Sequence, residues 1–166
     1  MLRTRVVAGV AATALVGTMG FAAAAPAMAK GKNTTVTFTS ASAKGLKITP
    51  VKPATGKGKK FTFPAKVKGS MVTHKGGLLL VNTATNQQLK ITNIKLDLTT
   101  KTGTIDAPDL GAGIKNFSAF TLGKVKTKKG VTTAQLKIAK GVSTTLNGLL
   151  GTSYKDGQVL ANTSTK

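Results

Sequence analysis

From about position 34 onward, apolar and polar residues alternate in short runs separated by glycine-bearing turns, and this period of two predicts antiparallel strands. The expected strands are Thr35 to Thr39, Leu46 to Val51, Phe61 to Val67, Met71 to His74, Leu78 to Asn82, Leu89 to Leu98, Thr104 to Ala107, Phe117 to Lys126, Val131 to Ile138 and a short one near Val159. In the run after Gln88, Leu89 and Ile91 fall on odd positions whereas Ile94, Leu96 and Leu98 fall on even ones. The inward face therefore slips by one residue near Thr92-Asn93, and a bulge there would keep both sets in the core. Lys75-Gly76-Gly77, Lys101-Thr102-Gly103 and Lys128-Lys129-Gly130 are each expected to join their flanking runs as a hairpin.

The period changes once. Val142, Leu146, Leu149 and Leu150 share one helical face between Gly141 and Gly151, which predicts a short helix packed on the sheet as a plug or lid. Lys30 to Asn33 and Asn162 to Lys166 are expected to be solvated ends, and Thr55 to Lys60, reading TGKGKK, a mobile basic loop. The fold class is all-β, a mainly antiparallel sandwich or barrel-like domain with one short C-terminal helix.

The first 29 residues follow a different rule. Arg3 and Arg5 precede an uncharged stretch that ends in Ala27-Met28-Ala29, the pattern of a cleavable secretory signal. The stretch is also long enough for an uncleaved anchor, but Gly9, Gly17, Gly20 and Pro26 argue against that reading. Residues 30–166 are expected to form a single basic β-rich domain, secreted, extracellular or associated with the cell wall. Without cysteine, such a domain must rely on its apolar core rather than on disulfides.

Charge sets the outer surface. The chain has 25 Lys and Arg against 4 acidic residues, a formal charge of +21, and every cation beyond the leader is lysine. In Leu46-Lys47-Ile48, Lys66-Val67-Lys68, Leu89-Lys90-Ile91 and Lys124-Val125-Lys126 the ammonium groups alternate with apolar neighbours, which places them on outward faces. Such lysines keep a β protein soluble and blunt its edges. They also suit adhesion to a polyanion, with Lys57, Lys59, Lys60, Lys66, Lys68, Lys124, Lys126, Lys128 and Lys129 as the candidate contacts. The partners expected on this basis are an anionic wall polymer, an acidic polysaccharide or an anionic lipid surface. Sequence-specific nucleic-acid recognition is disfavoured, because the domain has no Arg for bidentate contacts and no Trp for stacking.

The inventory for catalysis is poor: one His, one Tyr and the acids Asp97, Asp106, Asp109 and Asp156. No nucleophile elbow, S-x-x-K, H-E-x-x-H or complete phosphate-binding loop is present. No enzyme, no catalytic residue and no metal site are expected, and Asp106 and Asp109, flanking Pro108, are read as turn residues. His74, at a strand end, is read either as a solvent-facing or half-buried histidine with no ligand or as a contact to a metal or haem.

The stretch FTFPAKVKGSMVTHKGGLLLVNTATNQQLKITNIKLDLTTKTGTIDA, residues 61–107, resembles the HtaA-type domain of exported actinobacterial proteins, and Leu136 to Gly157 is similar to the tail of small secreted relatives. The resemblance implies a β-rich extracytoplasmic domain and, as the alternative to polyanion adhesion, a haem-binding module with haem as cofactor. In the best-known members a Tyr ligates haem with a His nearby. His74 matches that histidine, whereas the family's N-terminal Trp and Ser-Phe-x-x-Tyr segment has no counterpart and Tyr154 lies in another part of the chain.

Overall fold

A computed structural model describes residues 32–166; the expected leader lies outside the described residues. Among the described residues the elements run β1 (Lys32–Phe38), α1 (Ser40–Ala43), β2 (Leu46–Val51), β3 (Thr55–Lys57), β4 (Lys60–Lys68), β5 (Met71–His74) and β6 (Gly77–Asn82). They continue with β7 (Gln88–Asp97), β8 (Thr102–Ala107), β9 (Ile114–Lys128), β10 (Val131–Ile138), α2 (Val142–Leu150) and β11 (Val159–Thr165). The path β7-β5-β4-β1-β11-β10-β9-β8 returns to β7, so 8 strands close an antiparallel barrel. β6 and β2 extend outward from the first half of β7, and β3 pairs with the start of β4. Of the two expected architectures, the barrel is the one formed.

Alternation explains which side chains fill it. Val36 on β1, Phe61, Phe63 and Ala65 on β4, Leu96 on β7, Leu136 on β10 and Ala161 on β11 are all buried, while the residues between them are turned outward. A ring of this size leaves an interior that side chains can just fill.

The expected slip in β7 is present: its register with β8 shifts between Thr92 and Lys95, and Asn93 takes φ 47°. It divides the strand between two partners, with Gln88 to Thr92 pairing with β6 and Lys95 to Asp97 with β5. For that reason Lys75-Gly76-Gly77 does not close the expected hairpin. β7 lies between β5 and β6, and the glycines form a crossover in which a Cβ at Gly77 would lie 2.1 Å from the Ile91 carbonyl oxygen. The other two expected hairpins, β7–β8 and β9–β10, are formed.

Three expectations drawn from polarity are corrected. Lys32, Asn33 and Asn162 to Thr165 are not solvated ends, because β1 and β11 pair with each other in the middle of the sheet, with Thr34 opposite Thr165. Thr34, Thr163 and Thr165 are buried, and their hydroxyls are satisfied: Thr34 and Thr165 share a 2.7 Å hydrogen bond and Thr163 donates to the Ala134 carbonyl at 3.2 Å. A threonine whose hydroxyl has a partner can face a core, and strand composition alone does not distinguish that case. TGKGKK is not a loop either: Thr55 to Lys57 pair with Lys60 to Thr62, and Gly58, at φ 63°, supplies the turn. Asp106, finally, lies inside β8 rather than in a turn.

Helix α2 forms as expected, with Gly151 at φ 59° ending it and Val142, Leu146 and Leu150 facing the core. Its ends are held by side chains. At its start, Asp156 accepts from the Gly141 N–H at 2.6 Å and the Ser143 N–H at 3.1 Å, which depresses the Asp156 pKa. At its end, buried Asn82 donates to the Leu150 carbonyl at 2.7 Å and accepts from the Ala84 and Thr85 N–H groups. The single turn of α1, not anticipated, follows Thr39, whose hydroxyl accepts from the Ser42 N–H at 3.2 Å. Removing the Asn82 amide strands a buried helix-end carbonyl, so Asn82→Ala is expected to cost about 1–3 kcal/mol. Urea unfolding monitored by circular dichroism measures this; an unchanged midpoint would show that Asn82 does not hold the helix.

Candidate functional site: a buried imidazole in an apolar barrel

The bulge in β7 creates the site. Ile94 falls between the segment of β7 that pairs with β6 and the segment that pairs with β5, so its carbonyl is left over from the strand ladder. The His74 ring takes that acceptor, with Nδ1 2.8 Å from the Ile94 oxygen. A carbonyl can only accept, so the proton resides on Nδ1 and Nε2 presents a bare lone pair. Nε2 is buried and has no hydrogen-bond partner.

Asp106 secures the bulge from outside. Its carboxylate accepts from the Asn116 N–H at 2.8 Å and the Asn93 side-chain amide at 2.7 Å, and these bonds hold its pKa below the ordinary carboxylate range. The three acids with depressed pKa values, Asp97, Asp106 and Asp156, each receive backbone N–H groups. They organise turns, a bulge and a helix start. Among the described residues no three of His, Asp, Glu or Cys converge as a metal site would require.

His74 is 2 % exposed, and burial holds its pKa below 6.5, opposed by the bond to Ile94. It packs edge-on against Phe63, ring centres 6.0 Å apart. The adjoining space is a cavity of about 50 Å³ lined almost wholly by apolar side chains, including Leu78, Ile94 and Leu96 from the strands and Leu146 and Leu150 from α2. Tyr154 also lines it, but its hydroxyl donates to the Ser42 carbonyl and burial raises its pKa to about 12. The solvent-facing or half-buried alternative for His74 is thus corrected: the ring is enclosed because β5 lies between β4 and β7 in the closed barrel. Its acceptor, Ile94, was not singled out from sequence, although the parity change at Thr92-Asn93 marked the position.

The lysines lie elsewhere. All nine candidates are exposed, as the alternation required. Lys57, Lys59 and Lys60 cluster on the β3–β4 hairpin, Lys66 and Lys68 lie at the far end of β4, and Lys124, Lys126, Lys128 and Lys129 on the β9–β10 hairpin.

The architecture defines a class before any relative is considered: a closed antiparallel barrel with a short helix over its core. No protein-family model matches the chain, and a comparison with curated proteins finds no match. Solved structures do match. The C-terminal domain of HtaA from Corynebacterium glutamicum aligns over 81 % of this chain and 96 % of that one, with TM-score 0.51 and 12 % identity. The heme binding protein HtaB from the same organism aligns over 81 % of this chain and 92 % of that one, with TM-score 0.53 and 13 % identity. The fold is that of the HtaA-type domain, in agreement with the resemblance of residues 61–107.

A histidine whose folded pKa lies below its unfolded value stabilises the fold fully above pH 6.5, and the stabilisation declines as pH falls towards the folded pKa. Thermal midpoints are therefore expected to drop between pH 7.5 and pH 5, and to drop less in His74→Leu. An equal drop in both proteins would assign the dependence to other groups.

Proposed function

We propose that this chain is a non-enzymatic, extracytoplasmic haem-binding module with His74 as the residue that holds the iron. The observation that carries the reading is the His74 ring itself, with its Nδ1–H fixed by the Ile94 carbonyl and its Nε2 lone pair unpartnered in an apolar interior. Metal-ligating histidines are oriented in this way, the second nitrogen setting the tautomer and raising the basicity of the first. The shared fold with HtaB, described as a heme binding protein, supports the same reading.

The donor fits the group. An imidazole kept neutral by burial does not need to lose a proton to bind metal at neutral pH. Tyr154 does not fit as a phenolate donor, because its hydroxyl proton is committed to the Ser42 carbonyl and its pKa is displaced upward. The space fits only in part: about 50 Å³ adjoins His74, against roughly 300–1,000 Å³ for pockets that enclose a small-molecule ligand. Access to Nε2 therefore requires the residues that cover it to separate. Leu146, Leu150 and Tyr154 belong to the segment held by side-chain bonds from Asn82, Asn147 and Asp156 rather than by a strand ladder, and such segments open at lower cost than the barrel. When bound, haem would supply a redox-active iron; this chain supplies the donor, the fixed tautomer and the apolar wall.

Absorbance titration of the purified protein with hemin in high salt tests the proposal. A saturable Soret shift is expected, retained in Tyr154→Phe and weakened at least tenfold in His74→Ala. A shift that His74→Ala leaves intact would sink the assignment.

A further inference from the structure

The outer face of the barrel opposite no other element carries two cross-strand rows of polar side chains. Strand register places Lys57, Lys60, Thr37, Asn162, Gln135 and Gly123 in one row across β3, β4, β1, β11, β10 and β9. The neighbouring row is Thr55, Thr62, Thr35, Ser164, Thr133 and Lys126. Directly opposed residues in an antiparallel pair share a face, so both rows point outward together. At ordinary strand spacing the span from β4 to β9 is about 19 Å.

Three details set this face apart from a generally basic surface. Lys57 and Lys60 stand directly opposite each other, a like-charge pair that a sheet disfavours unless an anion lies between them. At the other end, the β9 bulge holds Lys124 at φ 49°, a conformation a lysine rarely adopts, and turns it and Lys126 to the edge of a groove of about 410 Å³. Beside them Gly123 leaves room for Lys137, whose Cε would lie 2.8 Å from a Cβ there. Beside Lys124 and Lys126 the groove is lined by hydroxyl and amide groups of Thr35, Thr37, Thr133, Gln135, Asn162 and Ser164, and the row continues past it from Thr37 to Lys60 and Lys57. None of the four acids lies on the strands that form it.

We infer that this face binds a linear anionic glycan, with the threonine, serine and amide groups meeting sugar hydroxyls and the lysines at either end meeting its charged groups. Charge complementarity selects an anion, and the polar floor selects a hydroxyl-bearing chain over an apolar or lipid surface. The absence of arginine among the described residues fits compact charges contacted one point at a time rather than planar forks. The site is separate from the His74 cavity and does not depend on the haem proposal.

Binding of the purified protein to carboxymethyl-dextran, dextran sulfate, neutral dextran and polyacrylate at fixed ionic strength tests the inference. Lys57→Gln/Lys60→Gln/Lys124→Gln/Lys126→Gln is expected to lose at least tenfold affinity for the two anionic dextrans. The equally discharged Lys47→Gln/Lys90→Gln/Lys115→Gln/Lys155→Gln is expected to lose under threefold. Thr35→Val/Thr133→Val, with an unchanged thermal midpoint, should weaken the anionic dextrans and leave polyacrylate unaffected. Equal losses in the two lysine quadruples, or a threonine effect identical for dextrans and polyacrylate, would overturn it in favour of diffuse charge attraction.

Discussion

The pairing of β1 with β11 is the contact on which the rest of the molecule depends. These strands are the first and last among the described residues, and they complete the ring between β4 and β10. Without them the sheet has two open edges and the residues around His74 face water. With them the interior is closed, the buried Thr34 and Thr165 hydroxyls must satisfy each other, and the imidazole is desolvated. Closing so long a segment is entropically expensive, and the reward comes from burying the inward faces of both strands at once, Thr34 and Val36 on β1 and Ala161, Thr163 and Thr165 on β11.

Two consequences of closure act in opposite directions on the two surfaces of the barrel. Inside, strand alternation collects apolar side chains and leaves one nitrogen, Nε2 of the strand-end His74, buried without a hydrogen-bond partner. Outside, the same alternation collects lysine, threonine and amide groups into rows. A single period of two thus generates both an apolar chamber and a cationic polar face, and neither requires a dedicated loop. The two bulges contribute in the same way on each side: the one in β7 releases the Ile94 carbonyl to orient His74, and the one in β9 turns Lys124 to the groove.

Much of this was legible in the sequence wherever a side chain's polarity matched its side of the wall. Leu89, Ile91, Ile94 and Leu96 marked both a strand and its bulge, and Val142, Leu146 and Leu150 marked the helix. The reading failed where polar residues face inward in satisfied pairs, as Thr34, Thr163 and Thr165 do, because composition marks them as solvated. It failed again at Gly76-Gly77, where a crossover and a hairpin turn call for the same residues, and strand order is decided by which half of β7 each neighbour takes. His74 was recognised as the residue of interest, but its burial follows from the closed ring, a long-range property that no local pattern encodes. The polar rows were invisible for the same reason, since their members lie far apart along the chain and meet only through register.

The central claim is that closure holds His74 neutral, with its proton on Nδ1 and its Nε2 lone pair free. Nitrogen-15 NMR of the imidazole at neutral pH tests this most directly, because protonated and bare ring nitrogens resonate in separate ranges and their coupling to ring protons distinguishes the two tautomers. The account predicts a single neutral form with Nδ1 protonated and Nε2 bare. An imidazolium, or a neutral ring protonated on Nε2, would contradict it.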